Sequence, residues 1–503
     1  MKESLIVRLE KELAVIEKAF NDNKFRAELL ERPETYFPEG KSILSALKMF
    51  TEIFAADPQL RTRIATDTVS AIEGLPIAEY VNSAAEFAPL WQERADNVAQ
   101  IDFERHINRP LLDAYNQYNT IRLNYLDGTK NDSYEQCNNN YRLWCEVEKA
   151  RSKFELGVHD SKVVHAPFAI ELNQGCSVGC WFCGVSAEKL TEKSIYDRFE
   201  KEWKGICSAL NRYFGDNCRK GFLYWATEPM DSTDYEKFQS DFIAETGYIP
   251  QVTTAVGHKH VDRIKRILRE PNAKLATIHR FSCLSVAQLK RVHREFNSVE
   301  LLFTECIPQN KESIFSKANA GKARNSEFIA YKLGDVSEEV QRKIMSKVSP
   351  SIACVSGFLI NITTKNIKLI SPCPATNEWP NGYRIYADVS YTDVIDFETK
   401  LKDMVNARLA QEKALSFIDG INVSNLDNGF CISSLYGELK FEHHQHRDTL
   451  HELVRCIQQE TFSPHQLIEH LSGDYNVTAQ QASDLLQVVS SKGVIEHIRE
   501  RGA

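Results

Sequence analysis

The first 156 residues place apolar side chains at the spacing of a helical face. Over 5–20, 42–54 and 142–154 an apolar residue recurs every three to four positions between charged ones, which predicts an all-α region across 1–156. Two stretches share one pattern, Asp22-x-x-Phe25-Arg26-x-x-Leu29 and Asp57-x-x-Leu60-Arg61-x-x-Ile64. An aspartate ahead of an apolar stripe is an ordinary helix start, because its carboxylate accepts from the free N–H groups of the first turn.

From about residue 165 the texture changes. Short apolar runs at 167–172, 221–225, 250–255, 275–281 and 299–304 alternate with amphipathic stretches. That alternation predicts βαβ units and a parallel sheet, an α/β region over 157–350 that closes most readily as a full or partial barrel. In a barrel the reactive residues gather at the C-terminal ends of the strands. Runs at 358–362 and 367–370 flank Thr363-Thr-Lys-Asn366, a hairpin that leads into Ser371-Pro372-Cys373-Pro374 within a segment spanning 351–425. The remainder, 426–503, opens with strands at 430–433 and 438–441 and then turns helical. Ser463 with Gln466, and Thr478 with Gln481, have capping-box spacing, and Pro464 suits the first helical position. This order predicts a winged-helix-like module.

Composition narrows the class. Of 503 residues 43% are hydrophobic and 26% charged, and mean hydropathy is −0.37, the profile of a globular chain. No run of about 18 apolar residues exists to span a membrane, and the N-terminus lacks the apolar stretch and cleavage site of a signal peptide. A cytoplasmic location is expected. A net charge of −8, from 61 basic and 69 acidic residues, argues against a nucleic-acid partner. Thirteen cysteines in such a chain read as metal ligands, reactive thiols or small buried hydrophobes rather than a disulfide framework.

Three of them carry the chemistry. Cys176-Ser-Val-Gly-Cys180-Trp-Phe-Cys183 follows the first predicted strand of the α/β region. Three thiolates can bind three irons of a 4Fe-4S cubane and leave the fourth open, unlike the four-cysteine sites of electron-transfer ferredoxins. The alternative is a structural zinc knuckle or three buried thiols. Zinc sites usually pair two-residue spacings, and no second CxxC is present. The spacing, the strand before it and Phe182 ahead of the last cysteine resemble the radical S-adenosylmethionine (SAM) superfamily, whose fold is a partial (β/α)6 barrel.

That resemblance implies SAM on the open iron and a 5′-deoxyadenosyl radical as its product. Ala226-Thr227-Glu228-Pro229 stands where the superfamily carries a Gly-Gly-Glu-Pro-like motif facing the cofactor's amino group. Both glycines are replaced here, so the carboxylate of Glu228 and the backbone at Thr227 are what remain. Arg280 and Ser282, near the end of the fourth predicted strand, are candidates for the cofactor's carboxylate and ribose. Phe182 completes the cofactor-binding set, and Thr253 and Thr254 end the third strand.

Cys373 lies between Pro372 and Pro374, whose rings restrict the backbone and hold the thiol on a stiff segment. Taken with Glu171-Leu-Asn-Gln-Gly-Cys176, the stretch Ser371-Pro-Cys373-Pro-Ala-Thr-Asn-Glu-Trp379-Pro-Asn-Gly-Tyr383 resembles the radical SAM peptide epimerases of proteusin biosynthesis, over roughly residues 150 to 400. The resemblance implies an isomerase that converts L- to D-residues in a ribosomally made precursor peptide. Cys373 would return a hydrogen atom to the face opposite the one from which the Cα hydrogen left. It also implies an electron donor such as flavodoxin or ferredoxin. The C-terminal module looks like the peptide-recognition elements that add a leader peptide as a strand, though a packing domain or a DNA-binding wing has the same outline. Residues 25–33 are similar to nitrile-hydratase-like leaders, with an ordinary helix as the alternative, and His443-His444-Gln445-His446 is given no role. Two other readings of the whole chain stay open: thioether crosslinking by the same radical, and a non-catalytic metal- or leader-binding adaptor.

Overall fold

The computed structural model describes residues 4–81, 110–130, 137–275, 277–315, 317–324, 337, 348–409 and 413–497. Parts of the expected N-terminal and barrel regions, 82–109 and most of 325–347, therefore lie outside the described residues.

The N-terminal region is all-α. Helices α1 (Leu5–Asn21), α2 (Asn23–Glu31), α3 (Ile43–Ala56), α4 (Pro58–Thr66), α5 (Thr68–Ile72), α6 (Pro110–Lys130) and α7 (Asn139–Leu156) follow one another. The two repeated aspartates are N-caps: Asp22 accepts from Phe25 N at 3.0 Å, and Asp57 accepts from Gln59 N at 2.9 Å and Leu60 N at 3.3 Å. Residues 25–33 thus belong to α2 and the turn after it.

The centre is mixed α/β, built from small sheets rather than one closed barrel. Its main sheet has the order β1 (Ala166–Glu171), β9 (Val355–Asn361), β10 (Asn366–Pro372), β11 (Tyr383–Ser390). β1 and β9 are parallel, whereas β10 is antiparallel to both of its neighbours. On its other side β1 continues by single parallel bridges, Ala169 to Phe222 and Phe222 to Gln251. A second parallel group follows, β5 (Thr253–Thr254), β7 (His279–Cys283) and β8 (Thr304–Pro308). Helices α8 (Tyr196–Phe214), α9 (Tyr235–Thr246), α10 (Val261–Leu268) and α11 (Val286–Glu295) connect successive members of this run.

Several expected strands are shorter or displaced. At 221–225 only Phe222 bridges, and beside it Gly221 leaves room for the Phe168 ring, 2.2 Å from where a Cβ would stand. The expected strand at 299–304 is a 3₁₀ turn, Glu300–Phe303, since Asn297 Oδ1 accepts from the N–H groups of Val299 (3.0 Å) and Glu300 (2.7 Å); β8 starts only at Thr304. The run at 275–281 divides. β6 (Lys274–Leu275) pairs with β4 (Tyr248–Ile249), and β7 begins four residues beyond Leu275 at His279. Arg280 is therefore the second residue of that strand, not its last.

The main sheet has two apolar faces. Phe168, Ile170, Phe358, Ile360, Ile367 and Leu369 belong to the large core shared with the helices. Ala169, Phe222, Val355, Leu359, Ile370 and Tyr383 form a smaller cluster on the inner face, joined by Val185, Tyr224 and Trp225. After α12 (Val394–Leu409) a C-terminal unit has its own core. It holds a ribbon of β12 (Leu415–Phe417) with β16 (Ile495–His497), an antiparallel sheet of β13 (Asn422–Leu426), β14 (Gly429–Ser433) and β15 (Glu438–Glu442), and helices α13 (Arg447–Gln458), α14 (Pro464–Asp474) and α15 (Ala479–Ser490). Both capping boxes form. Buried Arg151 of α7 fastens this unit, donating to the carbonyls of Gly493 (2.7 Å) and Ile495 (3.0 Å). Among the described residues no helix is long and apolar enough to cross a membrane.

Candidate active site

The loop after β1, framed by the antiparallel pair β2 (Asn173–Gln174) and β3 (Glu192–Lys193), is a turn structure stapled at both ends. Cys176 N–H donates to the Glu188 carbonyl at 2.9 Å, and Leu190 N–H returns to the Cys176 carbonyl at 3.2 Å. Ser177 N–H donates to Asp231 Oδ2 at 2.9 Å, and the carbonyl of Cys183 accepts from Lys322 N at 2.8 Å. Gly175 makes this possible: its φ is +82°, and a Cβ there would sit 2.4 Å from the Lys189 carbonyl oxygen. Gly175→Ala should break the staple, since a positive φ costs an L-residue roughly 1–2 kcal/mol before the clash. We expect iron per chain after reconstitution to fall sharply although all three thiols remain; wild-type iron content would contradict this.

All thirteen cysteines are free thiols, and Cys176, Cys180 and Cys183 are half-buried. Burial raises the Cys176 thiol, against hydrogen bonds from the backbone of Val178 and Gly179. Burial also pushes Cys180 up to about 11, helped by the neighbouring thiols of Cys176 and Cys183. Metal binding would release these protons, because thiolate is the ligand. Among the described residues two groups converge their ligand atoms within 4.8 Å, and this loop is not one of them. A single zinc, about 2.3 Å from each sulfur, would draw thiolates that close; a cubane spreads its three over separate irons. Half-buried thiols, backbone donors at sulfur and open space around Gly179 fit a cluster. Cations surround the loop: Lys311 and Lys317 lie 5.4 and 5.1 Å from the ring centres of Trp181 and Phe182, and Lys322 Nζ donates to the Ala187 carbonyl at 2.6 Å.

Next to the loop lies a shell of buried carboxyls. Glu228 receives the N–H groups of Ala255 (2.9 Å) and Met230 (3.2 Å) and the Thr254 hydroxyl, yet burial raises it to about 7. Thr227, beside it, is half-buried. Glu171, at the end of β1, accepts from Ala226 N at 2.9 Å and Asn361 Nδ2 at 3.0 Å, and burial raises its carboxyl too. Asp231, Lys322 and Asn361 were not sequence candidates. Asp231 lies three residues past Glu228 and could have been suspected, whereas Lys322 and Asn361 carry no local signal. Of the remaining candidates, Ser282 shares a side of β7 with Arg280. Arg280 is committed to an ion pair with Glu305 at 2.9 Å, and Arg122 holds the same carboxylate at 2.9 Å. As the second residue of its strand it stands away from the strand end where a cofactor carboxylate was expected.

Cys373 ends β10. Because β10 is antiparallel to β9, Cys373 is level with the start of β9, a strand length from Glu171 and Asn361. It is 1% exposed, beside the bidentate pair of Arg384 with Glu155 of α7. Burial pushes its thiol up to about 12. It lines a cavity of about 480 Å³ with Pro374, Trp379, Asn319, Ile421 and Tyr436, at the seam with the C-terminal unit. A strap joins this cavity to the cysteine loop: Asn319 lines the cavity, Gly321 N–H donates to the Pro380 carbonyl (2.8 Å), and Lys322 N–H donates to Cys183. The two sulfur sites are thus linked through residues 319–322.

The chain is 31% identical over 466 residues, 91% of its own length and 88% of the other's, to the uncharacterized protein y4wI of Sinorhizobium fredii (strain NBRC 101917 / NGR234). It belongs to the y4wI family. That kinship covers nine-tenths of the chain and is not confined to the cysteine loop. No protein-family profile and no solved structure matches the chain.

Proposed function

We propose that this y4wI-family protein is a radical SAM enzyme that epimerises residues of a ribosomally made precursor peptide in the cytoplasm. In this reading the open parallel run from β9 to β8 is a partial (β/α)6 barrel, and the C-terminal unit is a winged-helix-like element that receives the leader. The observation that carries the proposal is the stapled loop with three half-buried thiols at the C-terminal end of β1.

Cys176, Cys180 and Cys183 would hold a 4Fe-4S cluster, with Phe182, Thr227, Glu228 and Ser282 around SAM. Once reduced by a donor such as flavodoxin or ferredoxin, the bound pair supplies a 5′-deoxyadenosyl radical, an abstractor of hydrogen atoms. The chain's own residues do the rest. Glu228 offers spare lone pairs to an ammonium, whose charge would draw off the proton that burial favours. Asp231 and Lys322 fix the loop from either side. Cys373 can give a hydrogen atom only as S–H, and its burial keeps it in that form. Removal on one side and return on the other inverts a centre, and the Cys373 thiyl left behind must take one electron from the donor and one proton from solvent before the next turnover. In this reading the substrate backbone would lie beside the strap 319–322, which joins the Cys373 cavity to the cysteine loop.

The deep burial of Cys373 on the α7 side favours one second reading, thioether crosslinking by the same radical with Cys373 as a structural thiol. Either reading requires cofactor cleavage. After anaerobic reconstitution, SAM and dithionite should yield 5′-deoxyadenosine; a protein that binds iron and yields none is an adaptor, and both readings fall.

A further inference from the structure

Helices α13 and α14 of the C-terminal unit bring three side chains of different chemistry to one point. Glu452 and Cys456 are four residues apart on one face of α13, and His470 reaches them from α14. His470 Nε2 lies 2.7 Å from Glu452 Oε1, Cys456 Sγ lies 3.3 Å from that same oxygen, and the three ligand atoms all fall within 4.8 Å. Glu452 is 6% and Cys456 1% exposed, whereas the His470 side chain is 23% exposed and opens the point to solvent.

We propose that Glu452, Cys456 and His470 bind a divalent cation of the zinc class, clamping α13 to α14. Carboxylate, thiolate and imidazole are the ligands such ions select, and a carboxylate and a thiolate together neutralise a charge of +2. The surroundings resemble an outer shell. His470 Nδ1 is 3.1 Å from Asp474 Oδ2, the contact that orients a ligating imidazole. The Phe462 ring lies parallel to His470 at 5.1 Å, and Tyr475 bonds to Glu452. Arg455 pairs with Glu452 through two nitrogens, but its side chain is 53% exposed and it already donates to Gln459 Oε1 at 2.9 Å, so it can leave. On binding, Cys456 loses its proton to solvent and Arg455 turns outward. The other convergent trio, Glu52, His293 and Cys306, does not qualify: Lys48 is buried against Glu52 and has no exit, so a cation there would meet fixed positive charge.

The test uses the full chain, stripped by chelator, with Cys176, Cys180 and Cys183 changed to serine so that the loop cannot compete. Cobalt(II) should bind with a thiolate charge-transfer band in the near ultraviolet. C456S should abolish the band, and D474A should weaken zinc binding about ten- to a hundredfold. R455Q should tighten it. No uptake, or a band unchanged by C456S, overturns the proposal. Should the serine background fail to fold by circular dichroism, the zinc-induced rise in the thermal midpoint of the unaltered loop protein decides: it should vanish in C456S, and an equal rise in both overturns the site.

Discussion

Cys180→Ala is expected to leave the protein folded, to lower cluster iron to background and to abolish 5′-deoxyadenosine formation from SAM. The side chain is half-buried in a loop whose shape is set by hydrogen bonds from other residues, so removing one sulfur does not unmake the loop. Two thiolates cannot hold three irons. Circular dichroism reports the fold, iron analysis the cluster and chromatography the nucleoside. Retained cleavage with two cysteines would mean that the cluster ligands are elsewhere.

Cys373→Ala should do the reverse. Cofactor cleavage persists, because Cys373 is a strand length from the carboxyl shell, but the D-residue content of the co-expressed peptide falls to background. The small side chain lost from a buried site costs about 1 kcal/mol of stability, too little to unfold a typical domain. Burial also predicts a pH profile. A thiol pushed up to about 12 stays protonated throughout pH 7 to 9, so hydrogen return should show no thiol titration in that window. Chiral amino-acid analysis of the peptide checks both points. Normal D-residue yield from the alanine variant would assign the donor elsewhere and leave Cys373 as a packing residue beside Arg384 and Glu155.

The parts of this molecule that local chemistry decides were legible in the sequence. Asp22, Asp57, Ser463 and Thr478 announce helix starts because a cap needs only the next three residues. The hairpin around Thr363 to Asn366 and the loop of Cys176, Cys180 and Cys183 are local in the same sense. What failed depends on distant partners. The apolar run at 299–304 looks like a strand until Asn297 is seen to wind its start into a turn. Arg280 looked like an anion ligand at a strand end; its partner Glu305 comes from the neighbouring strand, and the strand's true start is set by Lys274 and Leu275 pairing elsewhere. Lys322 lies far along the chain from the cysteine loop it ties, and no pattern at residue 322 points there. The alternation of side chains along β10, which turns Cys373 toward α7, could be read only once the register with β9 was known.

The central claim is that a radical made at the cysteine loop ends in a residue inverted by a hydrogen from the protein. The most direct measurement is turnover of the precursor peptide in deuterated water, where the thiol hydrogen exchanges with solvent before it is given. The account predicts one deuteron fixed at the α-carbon of each D-residue formed, with no other change in mass. Loss of two hydrogens per modified residue, without deuterium uptake, would contradict it.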